Sequence, residues 1–183
     1  MQNKIILGID PGTLICGLGI IKIENNSEKL VHFEIVKNNP SLEMPIRLKN
    51  IYTKINELIL KYKPDEVALE TAFYSKNAQS ALKIGQARGV AMLATAINNL
   101  KLTEYTPKEI KKSVVGTGSA SKEQVQFMTM QFLEIKKKPK YFDATDALAV
   151  AICHAHRTTK SISKFASWKN FIELNPERIK KIK

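Results

Sequence analysis

IILGIDPGT, residues 5–13, is the stretch from which the fold can be read. Ile5, Ile6, Leu7 and Ile9 form a nearly continuous apolar run that stops at Asp10, and Pro11 and Gly12 break the chain directly after it. A short run that is apolar on both sides predicts a strand buried on both faces of a sheet. Its end is where ligand sites form in α/β sheets, so a carboxylate there draws the eye.

Working outward, residues 17–23 and 30–36 are further β-type runs separated by a polar turn, which predicts an antiparallel meander of three strands. A helix follows over about 41–61, with Leu48, Ile51, Ile55, Leu58 and Ile59 at helical spacing and Pro64 beyond it. Val67, Ala68 and Leu69 make a short buried strand that ends, like the first, on an acid, Glu70. A second helix is predicted over 77–99, rich in Ala, with Leu82, Ile84, Val90 and Leu93 on one side. Residues 102–105 read as a fifth strand. Helices follow at about 108–114, 121–133 and 144–156, with the glycine-containing loop 116–120 between the first two. The order βββαβαβ followed by helices is an α/β fold with a five-stranded mixed sheet flanked by helices. Residues 1–158 read as a single domain and 159–183 as a basic tail, poor in apolar residues despite Trp168, Phe171 and Ile172.

The chain carries 29 Lys and Arg against 17 Asp and Glu, a formal charge of +12 with a pI near 9.7. Nearly all of the excess sits in two segments: residues 101–140 carry a net +5 and residues 157–183 a net +6. A mainly neutral fold with a basic face and a basic tail is the distribution expected of a nucleic-acid-binding protein. No apolar run reaches the length of a bilayer span, and the N-terminus has no signal-peptide architecture, so a cytoplasmic protein is expected. Cys16 and Cys153 lie far apart in apolar contexts and read as buried free thiols.

Taken singly, the acids have ordinary explanations. Asp10 before Pro-Gly suits a turn, Glu70 a helix cap, and Asp143 and Asp146 a helix N-terminus. Together they fit something else. Two end buried strands, and two stand three apart on a helix whose neighbours (Ala144, Ala147, Leu148, Val150 and Ala151) suit close packing on a sheet. Four carboxylates in one cleft repel unless a cation neutralises them, and such hard oxygen donors select Mg²⁺ or Mn²⁺. An acidic cluster inside a basic protein is the composition of a metal-dependent nuclease.

ILGIDPGT (6–13), PDEVALETAFYSKNAQSALKIGQARGVA (64–91), EYTPKEIKKSVVGTGSASKEQV (104–125) and DATDALAVAICHAH (143–156), in that order and spacing, resemble the RuvC crossover-junction endodeoxyribonucleases. GIDPGT alone is shared with actin-like ATPases and YqgF-type nucleases; the QARG and VGTGSASK segments are far more specific. The resemblance implies an RNase H-like fold whose first strand is antiparallel to the second and parallel to the fourth. It implies catalysis and metal binding by Asp10, Glu70, Asp143 and Asp146, with Mg²⁺ (Mn²⁺ substituting) and two ions per site. It further implies a homodimer that holds four-way junction DNA and makes two symmetric nicks in recombination and repair. The nicks would leave 5′-phosphate and 3′-hydroxyl ends, and a branch-migration motor complex would be a partner.

Phe73 matches a family aromatic that stacks on bases at the crossover, against a plain reading as core packing. Tyr74 is a less certain match beside it. Lys111 and Lys122 match basic positions near junction phosphates, against a reading as solvated surface lysines, with Lys112 an alternative to Lys111. Arg88 in QARG is compatible with a phosphate contact or with a role in holding the fold. Lys136, Lys137, Lys138 and Lys140 read as a solvated charge run. His154 and His156 follow the acidic helix and read as structural, with assistance at the metal site as the alternative. The chief rival is an RNase H-like or YqgF-like nuclease acting on RNA, which keeps the chemistry and changes the substrate. An actin-like ATPase needs two lobes, for which 183 residues leave no room. The full set of four acids speaks against a non-catalytic junction binder.

Overall fold

In the computed structural model, which describes residues 3–25, 27–71 and 78–158, the first strand, β1 (Lys4–Asp10), lies at the centre of a five-stranded sheet. β2 (Ile15–Glu24) pairs with it antiparallel and β3 (Ser27–Lys37) pairs antiparallel with β2. Helix α1 (Met44–Tyr62) crosses back so that β4 (Glu66–Glu70) runs parallel to β1 on its other side. Helix α2 (Ala78–Ile97) does the same for β5 (Lys101–Tyr105), giving the order β3-β2-β1-β4-β5. The chain ends its described part with α3 (Pro107–Val115), α4 (Lys122–Phe132) and α5 (Phe142–Thr158). The mixed sheet, its strand directions and all five helices agree with the sequence reading, with ends shifted by one to three residues.

Successive side chains on a strand alternate between faces, so each inner strand supplies two cores. Leu7, Ile9, Val67 and Leu69 face α1 and α2, where they meet Ile51, Ile55 and Ala91. Ile6, Ile21 and Ala68 face α3, α4 and α5, where they meet Val114, Met128 and Ile152. Asp10 and Glu70 share the second face with Ile6 and Ala68 because they follow them at even spacing.

The helix on that face, α5, is buried from Ala144 to Ala155 apart from the half-buried Asp146, and lies unusually close to the sheet. Three glycines make this possible. Gly8 and Gly19 are opposite one another in the β1–β2 ladder, and Gly17 is opposite Asp10. A Cβ on Gly8 would stand 2.1 Å from the Ala147 carbonyl oxygen, and one on Gly17 would stand 1.9 Å from that of Asp143. On Gly19 it would meet the Leu148 side chain and backbone nitrogen at 2.8 Å. The helix backbone therefore rests on the strand backbone with no side chain between them.

Helix α2 departs from the expected pattern. Its buried positions are Ala87, Ala91, Ala94 and Thr95, whereas Leu82 is 69% and Leu93 56% exposed. The alanine stripe lets α2 approach α1 and the sheet closely, which leaves the bulkier apolar residues outside. Met92 and Ile97 are exposed with them.

The far end of α5 is fixed by polar contacts. His154, with no exposed surface, lies between the Tyr105 hydroxyl at 2.8 Å from Nδ1 and the Glu66 carboxylate at Nε2. This suits a neutral ring that accepts from the phenol and donates to the carboxylate. Burial holds the His154 pKa below its ordinary value of 6.5, against the pull of Glu66. Burial works against Glu66 too, but hydrogen bonds from Lys4 and His154 keep its pKa below 4.5. At this pair both depressed values mean that fewer protons are bound in the folded state than in the unfolded chain, so the pair's contribution to stability falls as pH drops below about 6.5. Carboxyls with raised values, such as Glu70, act in the opposite sense, so the pair's loss is read as a difference between wild type and His154→Ala. His154→Ala should lower stability by about 1–3 kcal/mol, because Glu66 and Tyr105 lose a buried partner, and thermal melts should show that difference shrinking from pH 8 to pH 5.

Candidate active site

Ile9 and Leu69 are register partners in the parallel β1–β4 pair, so the next residues, Asp10 and Glu70, end adjacent strands side by side. The first turn of α5 passes over the same end, carrying Asp143 and Asp146, and Gly17 admits the Asp143 backbone against β2. Asp143 and Asp146 therefore reach the strand acids because α5 has no side chains beneath it. The close seating was signalled by Gly8, Gly17 and Gly19 in otherwise apolar strands, a pattern that sequence reasoning passed over.

The acids feel one another. Burial pushes the Asp10 carboxyl well above its ordinary range, and Glu70, Asp146 and Asp143 each push it further. Burial, and then Asp146, raise Glu70 to about 7. Asp146 is also raised by burial, with Lys122 opposing. The Lys122 ammonium stands 3.6 Å from Asp146 Oδ2. Burial works against that charge, but the four carboxylates together hold its pKa above the lysine norm.

Lys122 is delivered by local sequence. Ser121 caps α4 by accepting from the Gln124 amide while the Gln124 side chain accepts from the Ser121 amide, which makes Lys122 the first helical residue. Thr106 and Glu109 form the same box at the start of α3, with Pro107 inside it and Gly116 closing the helix at φ 90°. That helix brings Lys111 within electrostatic reach of Glu70 and Asp146. Lys112 is exposed and exerts no such effect on the acids.

The remaining candidates lie elsewhere. Arg88 pairs with Glu104, tying α2 to β5. Phe73 and Tyr74, like residues 159–183, lie outside the described residues. His154 is 11 residues along α5 from Asp143, roughly 16 Å at the helical rise. His156 bonds Glu28 Oε1 at 2.9 Å and faces Ser113. Both histidines therefore serve the far end of the helix. Cys16 and Cys153 are buried and reduced, and burial raises the Cys16 thiol to about 12, which leaves it inert.

Four carboxylates, of which Asp10, Glu70 and Asp146 have raised pKa values, and one ammonium in contact with Asp146 form a donor set short of positive charge. Hard oxygen ligands around a partly desolvated cleft fit a divalent cation such as Mg²⁺. Among the described residues no three His, Cys, Asp or Glu side chains are already gathered as a closed cage.

The profile described as "Crossover junction endodeoxyribonuclease RuvC" matches residues 6–154. A protein of that description from Christiangramia forsetii is 45% identical over 181 residues, covering 98% of this chain and 94% of the relative. The one from Cytophaga hutchinsonii is 42% identical over 180 residues, covering 98% and 90%. Among solved structures, T. thermophilus RuvC in complex with a Holliday junction substrate superposes with a TM-score of 0.79. Its identity is 31%, over 84% of this chain and 94% of that one.

Proposed function

The chain belongs to the RuvC family of crossover junction endodeoxyribonucleases, and from that premise we propose that it resolves Holliday junctions with Asp10, Glu70, Asp143 and Asp146 as its catalytic acids. The enzyme is a nuclease that depends on a divalent metal and acts on four-way junction DNA. Mg²⁺, two ions per site and products with 5′-phosphate and 3′-hydroxyl ends complete the reading. What carries it is the meeting of four acids from three elements at one end of the sheet, inside a region that matches the family from residue 6 to 154.

Asp10 and Glu70, fixed by adjacent strands, would hold the cation from below, and Asp143 and Asp146 from the first turn of α5. A divalent cation bound there supplies Lewis acidity toward the phosphodiester and makes water a competent nucleophile near neutral pH. Lys122 and Lys111 draw the backbone phosphates toward a cleft that would otherwise repel them. Arg88 is committed to Glu104, so its part is to hold α2 against β5.

The homodimer reading is supported by α2. Leu82, Met92, Leu93 and Ile97 are exposed, and a Cβ on Gly85 or Gly89 would meet nothing within 4 Å. A helix with such a face can pack on its own copy. Leu93→Glu is expected to weaken self-association at least about tenfold in sedimentation and to replace paired nicks by single ones. A branch-migration motor is the further partner of this reading. The net +6 of residues 157–183 would add salt-sensitive DNA affinity. No helix among the described residues is long and apolar enough to cross a membrane, and a cytoplasmic location is part of the proposed reading.

The test is cleavage of an end-labelled four-way junction beside linear duplex and an RNA–DNA hybrid, in Mg²⁺ and in EDTA. Metal-dependent paired nicks confined to the junction are expected. Cutting of the hybrid in preference would transfer the function to an RNA-directed nuclease of the same fold, and junction binding without cutting would remove the catalytic assignment.

A further inference from the structure

On the side of the acidic cleft away from Lys111 there is a second group of cations that the site does not use. Lys37 is the last residue of β3, at the sheet edge, and its ammonium donates to the Tyr141 hydroxyl at 3.0 Å. Lys140 Nζ lies 5.7 Å from the centre of the Tyr141 ring, and Lys138 Nζ lies 5.7 Å from that of Phe142. Tyr141 and Phe142 directly precede Asp143. Among the described residues no carboxylate comes within ion-pair distance of Lys37, Lys138 or Lys140. Glu123 acts on Lys138 only at longer range. Three ammonium groups thus lie against two neighbouring aromatic rings without a carboxylate in ion-pair contact among the described residues, an arrangement that favours a polyanion.

The topology sets the distance. β1 ends at Asp10, and β3, two strands away, ends at Lys37 on the same edge, because Ile15 at the start of β2 is its register partner. Asp10 is in register with Gly17 and through it with Ile35, so Lys37 lies two strand spacings of about 4.8 Å and two residues along from Asp10, about 12 Å in all, with Glu70 one strand further. Successive phosphates of one strand stand further apart than their axial rise of about 3.4 Å, so this separation spans about two nucleotide steps. Lys111 thus acts on Glu70 at the β4 side of the acids, Lys122 stands against Asp146, and the Lys37 group lies toward β3.

We propose that Lys37, Lys138, Lys140 and Tyr141 form a second phosphate-binding site, which grips the sugar–phosphate backbone of the cut strand about two nucleotides from the scissile phosphate. The inference rests on the junction-cleaving reading above. The Tyr141 oxygen accepts from Lys37, so its own hydrogen can donate to a phosphate oxygen, and the three ammonium groups neutralise the backbone around it. These are positioning residues: they fix the register of the strand and leave the chemistry to the acids.

The experiment compares the wild type, Lys37→Gln/Lys138→Gln/Lys140→Gln and Tyr141→Phe on a labelled four-way junction. Affinity is read across a salt series with Ca²⁺, and single-turnover cleavage with Mg²⁺ at saturating enzyme. The triple variant is expected to bind at least about tenfold more weakly at low salt, and its salt slope should shrink by two to three. Its saturated cleavage rate should stay within about twofold of wild type while the half-saturating concentration rises. A methylphosphonate placed about two nucleotides from the cut should weaken wild-type binding and add nothing in the triple variant. Tyr141→Phe should show part of the same loss. An unchanged salt slope, or equal methylphosphonate losses in both proteins, would overturn the proposal. So would a fall in the saturated rate with affinity intact, because that would make the cluster structural. If wild type itself neither binds nor cuts the junction, it is the functional reading that fails.

Discussion

Asp10→Asn is expected to leave the protein folded and bound to four-way junctions while lowering metal-dependent cleavage on the order of a thousandfold or more. Asp10 is half-buried beside three other acids, and both desolvation and their charges oppose its ionised form. An amide keeps the shape and hydrogen-bonding capacity of the carboxylate but withdraws the charge that holds a cation. Without metal that charge is a liability, so the variant should melt higher than wild type in EDTA. In Mg²⁺ the order should narrow or reverse, because only wild type gains from binding the ion. Single-turnover kinetics and paired melts with and without metal check both parts. Cleavage within tenfold of wild type would remove Asp10 from the site.

Gly17→Ala is expected to reduce cleavage about a hundredfold or more without touching an ionisable group. Its Cβ would stand 1.9 Å from the Asp143 carbonyl oxygen and 2.5 Å from the carbon. Both are backbone atoms, so no rotamer change relieves the clash and the first turn of α5 must lift. A shift of about 1 Å in a catalytic group costs on the order of a hundredfold in rate. Overpacking of this kind also costs about 1–3 kcal/mol of stability. Thermal melts and cleavage assays at a temperature where the variant is fully folded separate the two effects. Gly85→Ala provides the contrast, since its Cβ would meet nothing within 4 Å. Normal cleavage by a folded Gly17→Ala protein would show that α5 does not need its close seat.

The strands and most helices were legible because their patterns are strong. The apolar runs ending at Asp10 and Glu70 are strands covered on both faces, and Leu48, Ile51, Ile55 and Leu58 mark one side of α1. The grouping of the four acids was also legible, since strand ends and a helix N-terminus are places that topology brings together. The orientation of α2 was not. Size misled there: Leu82 and Leu93 looked like core, but the tight contact with α1 and the sheet is made by Ala87, Ala91 and Ala94. Helical periodicity reports that a face is apolar, not which apolar face a neighbour will take. The role of the strand glycines was hidden for a related reason, because a missing side chain acquires meaning only once the helix that fills its space is known. Arg88 and His154 also needed the fold, as their partners Glu104 and Glu66 lie far away along the chain.

The division of α2, small residues inward and large ones outward, has a consequence in mass action. With the proposed self-association, part of the apolar burial that stabilises this helix comes from a second copy, so dilution weakens the fold as well as the assembly. The thermal midpoint would rise with protein concentration. A four-way junction, by presenting two equivalent strands, would gather two subunits at an effective concentration far above that in bulk solution. Scarce protein would then be assembled and stabilised chiefly where a junction already exists, and the substrate itself would decide where the paired enzyme forms.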